Sequence, residues 1–300
     1  QRLASPGRPD RLNLKAMSQP ISIVLPAFNE EMAVGTVLRD IRTTIDQTGL
    51  SYEIIVVDDG STDRTAEVAL AEGARVLRNP ENAGYGASVK RGILSAKYQQ
   101  VVIIDADGTY DVNSIPVLAA DLDEYDMVVG ARQGDAYRSS LAKFAARRVF
   151  RFLVEYASGR SIPDINSGLR AFRKEAVMQF FDTTSNSFSF TTTITLAVML
   201  NGYFVKYVPV SYFNRVGKSK INHFRDTLRA LQLIVQAILY YNPLKLFLLP
   251  SGFLFVVAVS LLVSALIMGD SILLLAAVVA GVGSVIVGGI GLIADVLRRD

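Results

Sequence analysis

The chain has no cysteine, no tryptophan and a single histidine, His223, in its 300 residues. The absence of cysteine excludes disulfides, thiolate catalysis and cysteine-ligated metal sites, and it leaves the redox compartment undetermined. With one histidine, any metal ion must be held mainly by oxygen ligands, which suits Mg²⁺ or Mn²⁺. Net charge is also low. At +3 it is too small to indicate a nucleic-acid partner, and we expect none.

Apolar residues are abundant and are concentrated near the C-terminus. Hydrophobic residues make up 50% of the chain, and the mean hydropathy is +0.31. Two apolar segments, Phe247 to Met268 and Ser271 to about Leu292, each have about the 20 residues needed to cross roughly 30 Å of hydrocarbon. Because only Gly269 and Asp270 separate them, the sequence predicts a tight hairpin of two transmembrane helices. A buried hairpin inside a soluble protein is the alternative.

Basic residues flank the predicted hairpin on both sides, whereas its turn carries none. By the positive-inside rule, both termini and the domain that precedes the hairpin are expected to face the cytoplasm. Residues 1–20 are polar, lack the pattern of a signal peptide and are expected to form a flexible leader. The flanking basic residues are Arg215, Lys218, Lys220, Arg225 and Arg229 before the hairpin, and Arg298 and Arg299 after it.

From Ile21 onward, short apolar runs alternate with longer amphipathic stretches, which predicts an α/β domain with a mostly parallel sheet covered on both faces. Ligands bind outside the carboxyl ends of the strands in such sheets, so the polar residues at those ends are the candidate site. The predicted strands are ISIVL from Ile21, YEIIVVD from Tyr52, Ala74 to Leu77, VVIID at 101–105 and Asp126 to Val129; the predicted helices extend to about Gln47 and begin near Asp63 and Gly84.

Two basic amphipathic segments, 138–158 and Phe224 to Tyr241, are predicted to be helices. Either one alone could pack on the domain with its charged face in solvent. Beside predicted membrane spans, however, the two together indicate helices that lie at the membrane interface.

The ends of the first two predicted strands carry acidic and amide side chains. The first ends in PAFNE, Pro26 to Glu30, and the second in DDGSTD, Asp58 to Asp63. Each could be a turn followed by a helix cap. Capping does not explain two adjacent acids, Asp58 and Asp59, at one strand end, since like charges there repel. Such carboxylates can accept hydrogen bonds from a nucleobase N–H and from ribose hydroxyls.

Two further segments complete the candidate site. NPENAGYGA, Asn79 to Ala87, opens a helix with small residues that allow a backbone to approach a nucleotide. Its spacing is not that of a Walker loop, and no G-x-G-x-x-G follows the first strand, which disfavours ATP hydrolysis and NAD binding. The fourth strand ends in Asp105-Ala106-Asp107. These carboxylates can reach one divalent cation, which would bridge a diphosphate and neutralise its charge as it leaves.

In this order, PAFNEE, VVDDGSTD, NAGYGAS and DADGTY resemble the inverting family 2 glycosyltransferases with the GT-A (Rossmann-like) fold. NSGLRAF at 166–172 and RVGKSK at 215–220 resemble the polyisoprenyl-phosphate glycosyltransferase and dolichol-phosphate mannose synthase branch, and the C-terminal spans resemble its bacterial two-span members. The resemblance implies a GT-A domain over 21–220, a juxtamembrane amphipathic helix over 221–243 and two transmembrane helices within 244–300.

The motifs and this resemblance give the candidate site residues. This chain departs from the mannose synthases at Thr109, where they have glutamine, which leaves the second protein ligand of the metal and the donor sugar open. Nucleotide-sugar contacts are expected from Pro26, Asn29, Glu30, Asp58, Asp59, Asn79, Gly84 and Asp105; metal ligation from Asp107 and Asp105; and catalytic roles for Asp105, Asp107 and Asp164. Asp164 would orient the acceptor or an arginine, and a loop cap is its alternative role.

A phosphate acceptor is already ionised at neutral pH and can attack the anomeric carbon without a general base, so the scarcity of histidine is no obstacle. The enzyme must instead align two anionic substrates and neutralise their charge. Attraction to anionic lipid is the alternative role for each basic candidate. The candidate contacts to the acceptor phosphate are Arg170, Arg215, Lys218, Lys220, Arg138 and Arg148.

The sequence therefore predicts inverting transfer of a sugar from a nucleotide-sugar to a polyisoprenyl phosphate by an integral membrane protein that uses Mg²⁺ or Mn²⁺. UDP-glucose is the first choice of donor and GDP-mannose the second, and a homo-oligomer is compatible with the sequence. A processive polysaccharide synthase is disfavoured, because its product-holding motif needs a tryptophan and this chain has none. The open alternatives are transfer to a soluble or protein acceptor and a non-catalytic nucleotide-sugar-binding membrane scaffold.

Overall fold

A computed structural model describes residues 19–133, 158–215 and 242–297, together with positions 151, 152, 154–156, 232, 235, 236, 238 and 239. The chain divides into two compact units, each described separately below. The first consists of Gln1–Ser139, Asn166–Thr191 and Gly202–Lys220, and the second of Ser140–Ile165, Thr192–Asn201 and Ile221–Asp300.

The described part of the first unit contains one seven-stranded sheet. Its strands are β1 (Ile21–Ala27), β2 (Tyr52–Asp58), β3 (Arg75–Arg78), β4 (Gln100–Ile103), β5 (Met127–Gln133), β6 (Arg170–Arg173) and β7 (Val205–Ser211). They lie in the order β3-β2-β1-β4-β6-β5-β7. All neighbours pair in parallel except β6, which is antiparallel to both β4 and β5. The prediction of a mostly parallel sheet is confirmed.

Helices lie between successive strands, and the first three of them are the predicted ones. They are α1 (Val34–Asp46), α2 (Thr65–Ala71), α3 (Tyr85–Ser95), α4 (Ser114–Ala120), α5 (Lys174–Met178) and α6 (Phe190–Leu200), with short 3₁₀ turns at Asp121–Asp123 and Phe181–Thr183. The predicted strands and helices between residues 21 and 133 are all present. The helices α4, α5 and α6 and the strands β6 and β7 were not predicted from the sequence.

The central strands form because continuous apolar runs can be buried on both faces. Every residue of β1 is buried, and α1 contributes an apolar stripe with helical spacing to one side. On the other side α3 lies very close to the sheet at Gly92, where an added Cβ would meet Val24 and come within 3.1 Å of Val57. The result is a rigid three-layer core beneath the carboxyl ends of β1, β2 and β4. The buried stripe of α1 is Val34, Val37, Leu38, Ile41 and Ile45.

The second unit ends in two long helices, α7 (Pro243–Met268) and α8 (Ser271–Leu297), which confirm the predicted pair of apolar helices. By length and composition both helices can cross a membrane. In the most apolar 18-residue stretch of each, only 6% (α7) and 11% (α8) of the residues are buried. They reverse direction at Gly269, where φ is 66°. Ser251 and Ser284 tie them together, since each hydroxyl donates to the other's backbone carbonyl at 3.0 Å.

The two predicted amphipathic helices fall mostly outside the described residues. Positions 151, 152, 154–156 and 158 of the first are helical, as are 232, 235, 236, 238 and 239 of the second. Within the second unit, Lys245 Nζ donates to the carbonyl of Tyr156 at 3.1 Å, which links the start of α7 to the first of these segments. The leader is outside the described residues up to position 18.

Candidate active site

Parallel pairing brings the predicted polar segments to one edge of the sheet. Ala27 at the end of β1 pairs with Asp58 at the end of β2, and the Asp59 N–H donates to the Ala27 carbonyl at 2.8 Å. On the other side of β1, the Ile104 N–H donates to the Val24 carbonyl at 3.1 Å just beyond β4. The loops that follow β1, β2 and β4 therefore emerge side by side, as the sequence predicts.

The loop after β1 is fastened to the loop after β2. Asn29 adopts a left-handed φ of 54°, which asparagine tolerates better than most residues. Its N–H donates to Ser61 Oγ at 2.9 Å, and its side-chain oxygen accepts from the Thr62 N–H at 2.8 Å. The Glu30 N–H donates to Thr65 Oγ1 at 2.8 Å. Pro26 is buried within β1. Nucleotide contacts by Pro26, Asn29 and Glu30 remain predictions.

The adjacent acids Asp58 and Asp59 have different surroundings. Asp58 is fully buried, and its Oδ1 accepts from the Ser61 N–H at 3.1 Å. Its Oδ2 accepts no hydrogen bond from any residue the structure describes, although Arg78 Nε lies 3.2 Å away in an ion pair. Asp59, by contrast, has both oxygens occupied by the loop that precedes α3. Asp58 thus has one buried oxygen, beside Arg78, that receives no hydrogen bond from the described residues, whereas Asp59 holds a loop.

That loop runs from Asn79 to Gly84. Asp59 accepts from Asn79 Nδ2 (2.7 Å) and from the N–H groups of Ala83 and Gly84 (2.9 Å each). Asn79 Nδ2 also donates to Ser88 Oγ at 3.1 Å. The backbone here therefore points at Asp59, which differs from the expectation that the backbone near Gly84 binds a nucleotide. Asn79 and Gly84 shape the loop, and their ligand contacts remain predictions.

Asp107, the second acid of the D-x-D pair, is buried and held by its own turn. Its Oδ1 accepts from the N–H (3.1 Å) and the hydroxyl (2.7 Å) of Thr109. Its Oδ2 lies 3.5 Å from Arg215 Nη1. The threonine that stands where the mannose synthases have glutamine thus orients the Asp107 carboxylate.

Asp105 is held between an aromatic side chain and a glycine. Its Oδ1 accepts from the Tyr85 hydroxyl at 3.0 Å. The backbone of Gly168 packs against the same carboxylate so tightly that an added Cβ would lie 2.5 Å from Asp105 Cγ. Burial raises the pKa of Asp105 to about 7, and the negative charge of Asp107 contributes to the rise. The hydrogen bond from Tyr85 acts in the opposite direction.

These residues fit a divalent cation. The charge of Asp107 disfavours the ionisation of Asp105, and Mg²⁺ or Mn²⁺ would relieve that repulsion. Oxygen donors are what these ions prefer. Within the described ranges, no three Asp, Glu or His side chains lie close enough to form a metal site by themselves. Asp105 and Asp107 would therefore share the ion with oxygens of a bound diphosphate or water.

The arginines predicted to contact the acceptor phosphate have different surroundings. Arg215 forms ion pairs with Glu30 and Asp107, and its buried Nε has no hydrogen-bond partner among the described residues. Arg170 is fully buried and donates to the carbonyls of Ser167 (2.7 Å from Nη2) and Thr191 (3.1 Å from Nη1). This differs from the expectation that Arg170 contacts an acceptor phosphate, because a guanidinium enclosed by backbone carbonyls supports the chain around it.

The structure describes one of the remaining predicted residues. Asp164 is buried in the second unit. Lys218, Lys220, Arg138 and Arg148 lie outside the described residues.

Sequence reasoning missed three residues that shape the D-x-D pair. Tyr85 donates to Asp105, Gly168 packs against it, and Tyr110 accepts from the Gly168 N–H at 2.6 Å. All three stand inside motifs that the sequence singled out, NAGYGAS, NSGLRAF and DADGTY. The sequence identifies the three motifs, but a single sequence does not show that these segments contact one another in the fold.

Comparison with known proteins gives concordant matches. The profile of Glycosyl transferase family 2 matches residues 22–181. A dolichyl-phosphate hexose transferase of Haloferax volcanii is 33% identical over 208 residues, which cover 68% of this chain and 87% of that protein. A dolichyl-phosphate beta-glucosyltransferase of Drosophila melanogaster is 32% identical over 187 residues, 55% of this chain and 57% of that protein.

Solved structures agree on the fold. Glucosyl-3-phosphoglycerate synthase from Mycobacterium tuberculosis, in complex with Mn²⁺, UDP-glucose and phosphoglyceric acid, superposes with a TM-score of 0.61. The match covers 77% of this chain and 85% of that one at 22% identity, which supports a shared fold alone.

Proposed function

Because this chain belongs to glycosyl transferase family 2 and has its GT-A fold, we propose that it transfers a sugar from a nucleotide-sugar to a polyisoprenyl phosphate, with Mg²⁺ or Mn²⁺ held at Asp105 and Asp107. The observation that carries the proposal is the meeting of this acidic pair with Arg215, a cation 3.5 Å from Asp107. Two similar proteins named as dolichyl-phosphate sugar transferases, and one named as an undecaprenyl-phosphate transferase, support the acceptor class.

A uridine nucleotide fits Asp58 better than a guanosine nucleotide does. Asp58 Oδ1 already accepts from the Ser61 N–H, and Oδ2, which is buried beside Arg78, is the oxygen that receives no hydrogen bond from the described residues. Uracil presents a single ring N–H between two carbonyls, whereas guanine presents a ring N–H beside an amino group, which suits a carboxylate with both oxygens free. We therefore place UDP-glucose first and GDP-mannose second, as the sequence suggests.

The chemistry needs alignment more than proton transfer. A phosphate oxygen of the acceptor forms a bond to the anomeric carbon, and the bond from that carbon to the nucleoside diphosphate breaks, with the electron pair leaving on the diphosphate and inversion of configuration. When bound, the divalent cation supplies neutralisation of the leaving diphosphate. Asp105 and Asp107 would hold it, and Arg215 would hold the incoming phosphate against the repulsion between two anions. Asp164 keeps its proposed role in orienting the acceptor or an arginine.

The direct test is a panel of nucleotide-sugars, including UDP-glucose and GDP-mannose, incubated with the purified protein, polyprenyl phosphate and Mg²⁺ or Mn²⁺. Radiolabelled sugar that partitions into organic solvent is the expected product. Label that is transferred but stays in the aqueous phase would favour a soluble or protein acceptor. Failure of every donor to turn over would favour the non-catalytic scaffold.

Arg215→Ala is expected to raise the KM for polyprenyl phosphate by about tenfold or more, because it removes a charge-assisted contact to the acceptor. The affinity for the nucleotide, measured by titration of UDP without acceptor, should change by less than about threefold. Arg64→Ala, which removes a mostly exposed arginine paired with Glu31, is the matched control. An equal loss of nucleotide affinity in Arg215→Ala would argue against an acceptor role.

For the membrane part we propose the organisation that the sequence predicts: a GT-A domain over 21–220, a juxtamembrane helix over 221–243 and two spans within 244–300. Flanking basic charge would place the catalytic domain and both termini in the cytoplasm. The lack of native cysteine makes this easy to test with single cysteines and a membrane-impermeant maleimide. In intact cells Ser271→Cys at the turn should be labelled, and Glu67→Cys and Asp300→Cys only after permeabilisation. The opposite labelling pattern would reverse the orientation.

A further inference from the structure

Tyr85, the first residue of α3, reaches across the site edge to the D-x-D pair. Its hydroxyl donates to Asp105 Oδ1 at 3.0 Å. Burial, followed by the negative charge of Asp105, holds the pKa of Tyr85 well above its usual value. The hydroxyl therefore keeps its proton at neutral pH and remains a donor to the carboxylate.

The ring of Tyr85 is held in place by the segment that precedes α6. It stacks on Phe188 with ring centroids 5.7 Å apart and planes 12° from parallel. The glycines on either side of Tyr85 let this segment approach: a Cβ at Gly84 would lie 2.7 Å from the Asn186 carbonyl oxygen, and one at Gly86 would lie 2.8 Å from the Asn186 carbonyl carbon. The Ala87 N–H then donates to that carbonyl at 3.0 Å.

One turn further along α3, Lys90 fastens the same segment. Its ammonium donates to the carbonyls of Phe181 (2.6 Å) and Thr184 (2.7 Å) and to Asn186 Oδ1 (2.8 Å), which uses all three of its protons. Tyr85 is thus fixed at both its ring and its hydroxyl, and a side chain fixed in this way can in turn fix the group it binds.

We propose that Tyr85 is a positioning residue that sets the rotation of the Asp105 carboxylate for binding the metal and the donor diphosphate. With Oδ1 committed to Tyr85 and the backbone of Gly168 against the carboxylate, Asp105 has little freedom to rotate. Hydrogen-bond partners of this kind orient metal-binding carboxylates, and their loss typically weakens metal binding by about 10- to 100-fold. The inference rests on the proposed function, since it assumes that Asp105 faces a metal-bound donor.

The test is Tyr85→Phe, which keeps the ring and its stacking and removes only the hydroxyl. Calorimetric titration of Mn²⁺ into protein saturated with UDP should show an affinity about tenfold weaker than that of the wild type. UDP binding without metal should change by less than about twofold, because Tyr85 contributes no contact to Asp58. Circular dichroism and the thermal unfolding temperature should be unchanged.

Tyr52→Phe is the matched control, since Tyr52 also donates to an aspartate, Asp46 Oδ1 at 2.7 Å, at the opposite end of β2. It should leave Mn²⁺ affinity within about twofold of the wild type. Equal Mn²⁺ affinity in Tyr85→Phe and wild type would overturn the positioning role while leaving the proposed function intact. Wild-type protein that binds no Mn²⁺ in the presence of UDP would instead overturn the proposed metal site itself.

Discussion

Asp107→Ala is expected to reduce sugar transfer by at least about a thousandfold, because metal-assisted neutralisation of a leaving group contributes several kcal/mol to the transition state. Asp107 stands at the centre of the proposed chemistry, with one oxygen held by Thr109 and the other facing Arg215. Its hydrogen bonds are confined to its own turn, so the variant should still fold and remain in the membrane. Initial rates of lipid-linked product formation at saturating donor, with detergent-purified protein, measure the effect.

Asp111→Asn is the matched control for Asp107→Ala. Asp111 lies in the same loop, but its carboxylate accepts hydrogen bonds from Asn113, the residue before α4, in a local turn that asparagine can also form. Transfer by this variant should stay within about threefold of the wild type. A purified Asp107→Ala protein that forms product at the normal rate would rule out Asp107 as a metal ligand.

The sequence predicted five of the seven strands of the sheet, β1 to β5, and the most deeply buried of them are apolar runs. β1, β2 and β4 are fully or mostly buried, so their residues are largely apolar and the strands can be predicted from the sequence. β6 has no such apolar run, because its sequence RAFR contains two arginines within four residues. Arg170 is buried there with the carbonyls of Ser167, three residues before it, and of the more distant Thr191 as hydrogen-bond acceptors for its guanidinium. β7 contains Pro209 and lies at the edge of the sheet, where proline is tolerated but the strand pattern is weak.

The residues of the candidate site were predictable from the sequence, but their separate roles were not. Asp58 and Asp59 look equivalent in the sequence, and both were assigned to the nucleotide. Tertiary contacts separate them, because the loop from Asn79 to Gly84 returns to Asp59, whereas one oxygen of Asp58 receives no hydrogen bond from the residues that the structure describes. The D-x-D pair was recognised from its spacing at a strand end. The groups that hold Asp105 in place, Tyr85 and Gly168, come from segments far away in the chain, whereas Asp107 is held by its own turn.

Gly168 is distant from Asp105 in the chain but packs tightly against its carboxylate. We expect Gly168→Ala to reduce sugar transfer by about a hundredfold. The new Cβ would overlap the Asp105 carboxylate, with Asp105 Cγ only 2.5 Å away. Gly168 cannot easily retreat, because its N–H is held by the Tyr110 hydroxyl at 2.6 Å. The carboxylate must therefore move, and a displacement of about 1 Å in a catalytic site can cost about a hundredfold in rate.

Two measurements separate this displacement of Asp105 from simple unfolding in Gly168→Ala. UDP binding without metal should be retained, since Asp58 and Ser61 lie in a different loop, whereas the Mn²⁺ affinity in the presence of UDP should fall along with the rate. Gly289→Ala is the control, because an added Cβ there meets nothing within 4 Å, and it should transfer sugar normally. Full activity and unchanged Mn²⁺ affinity in Gly168→Ala would show that Asp105 does not need the position that this glycine imposes on it.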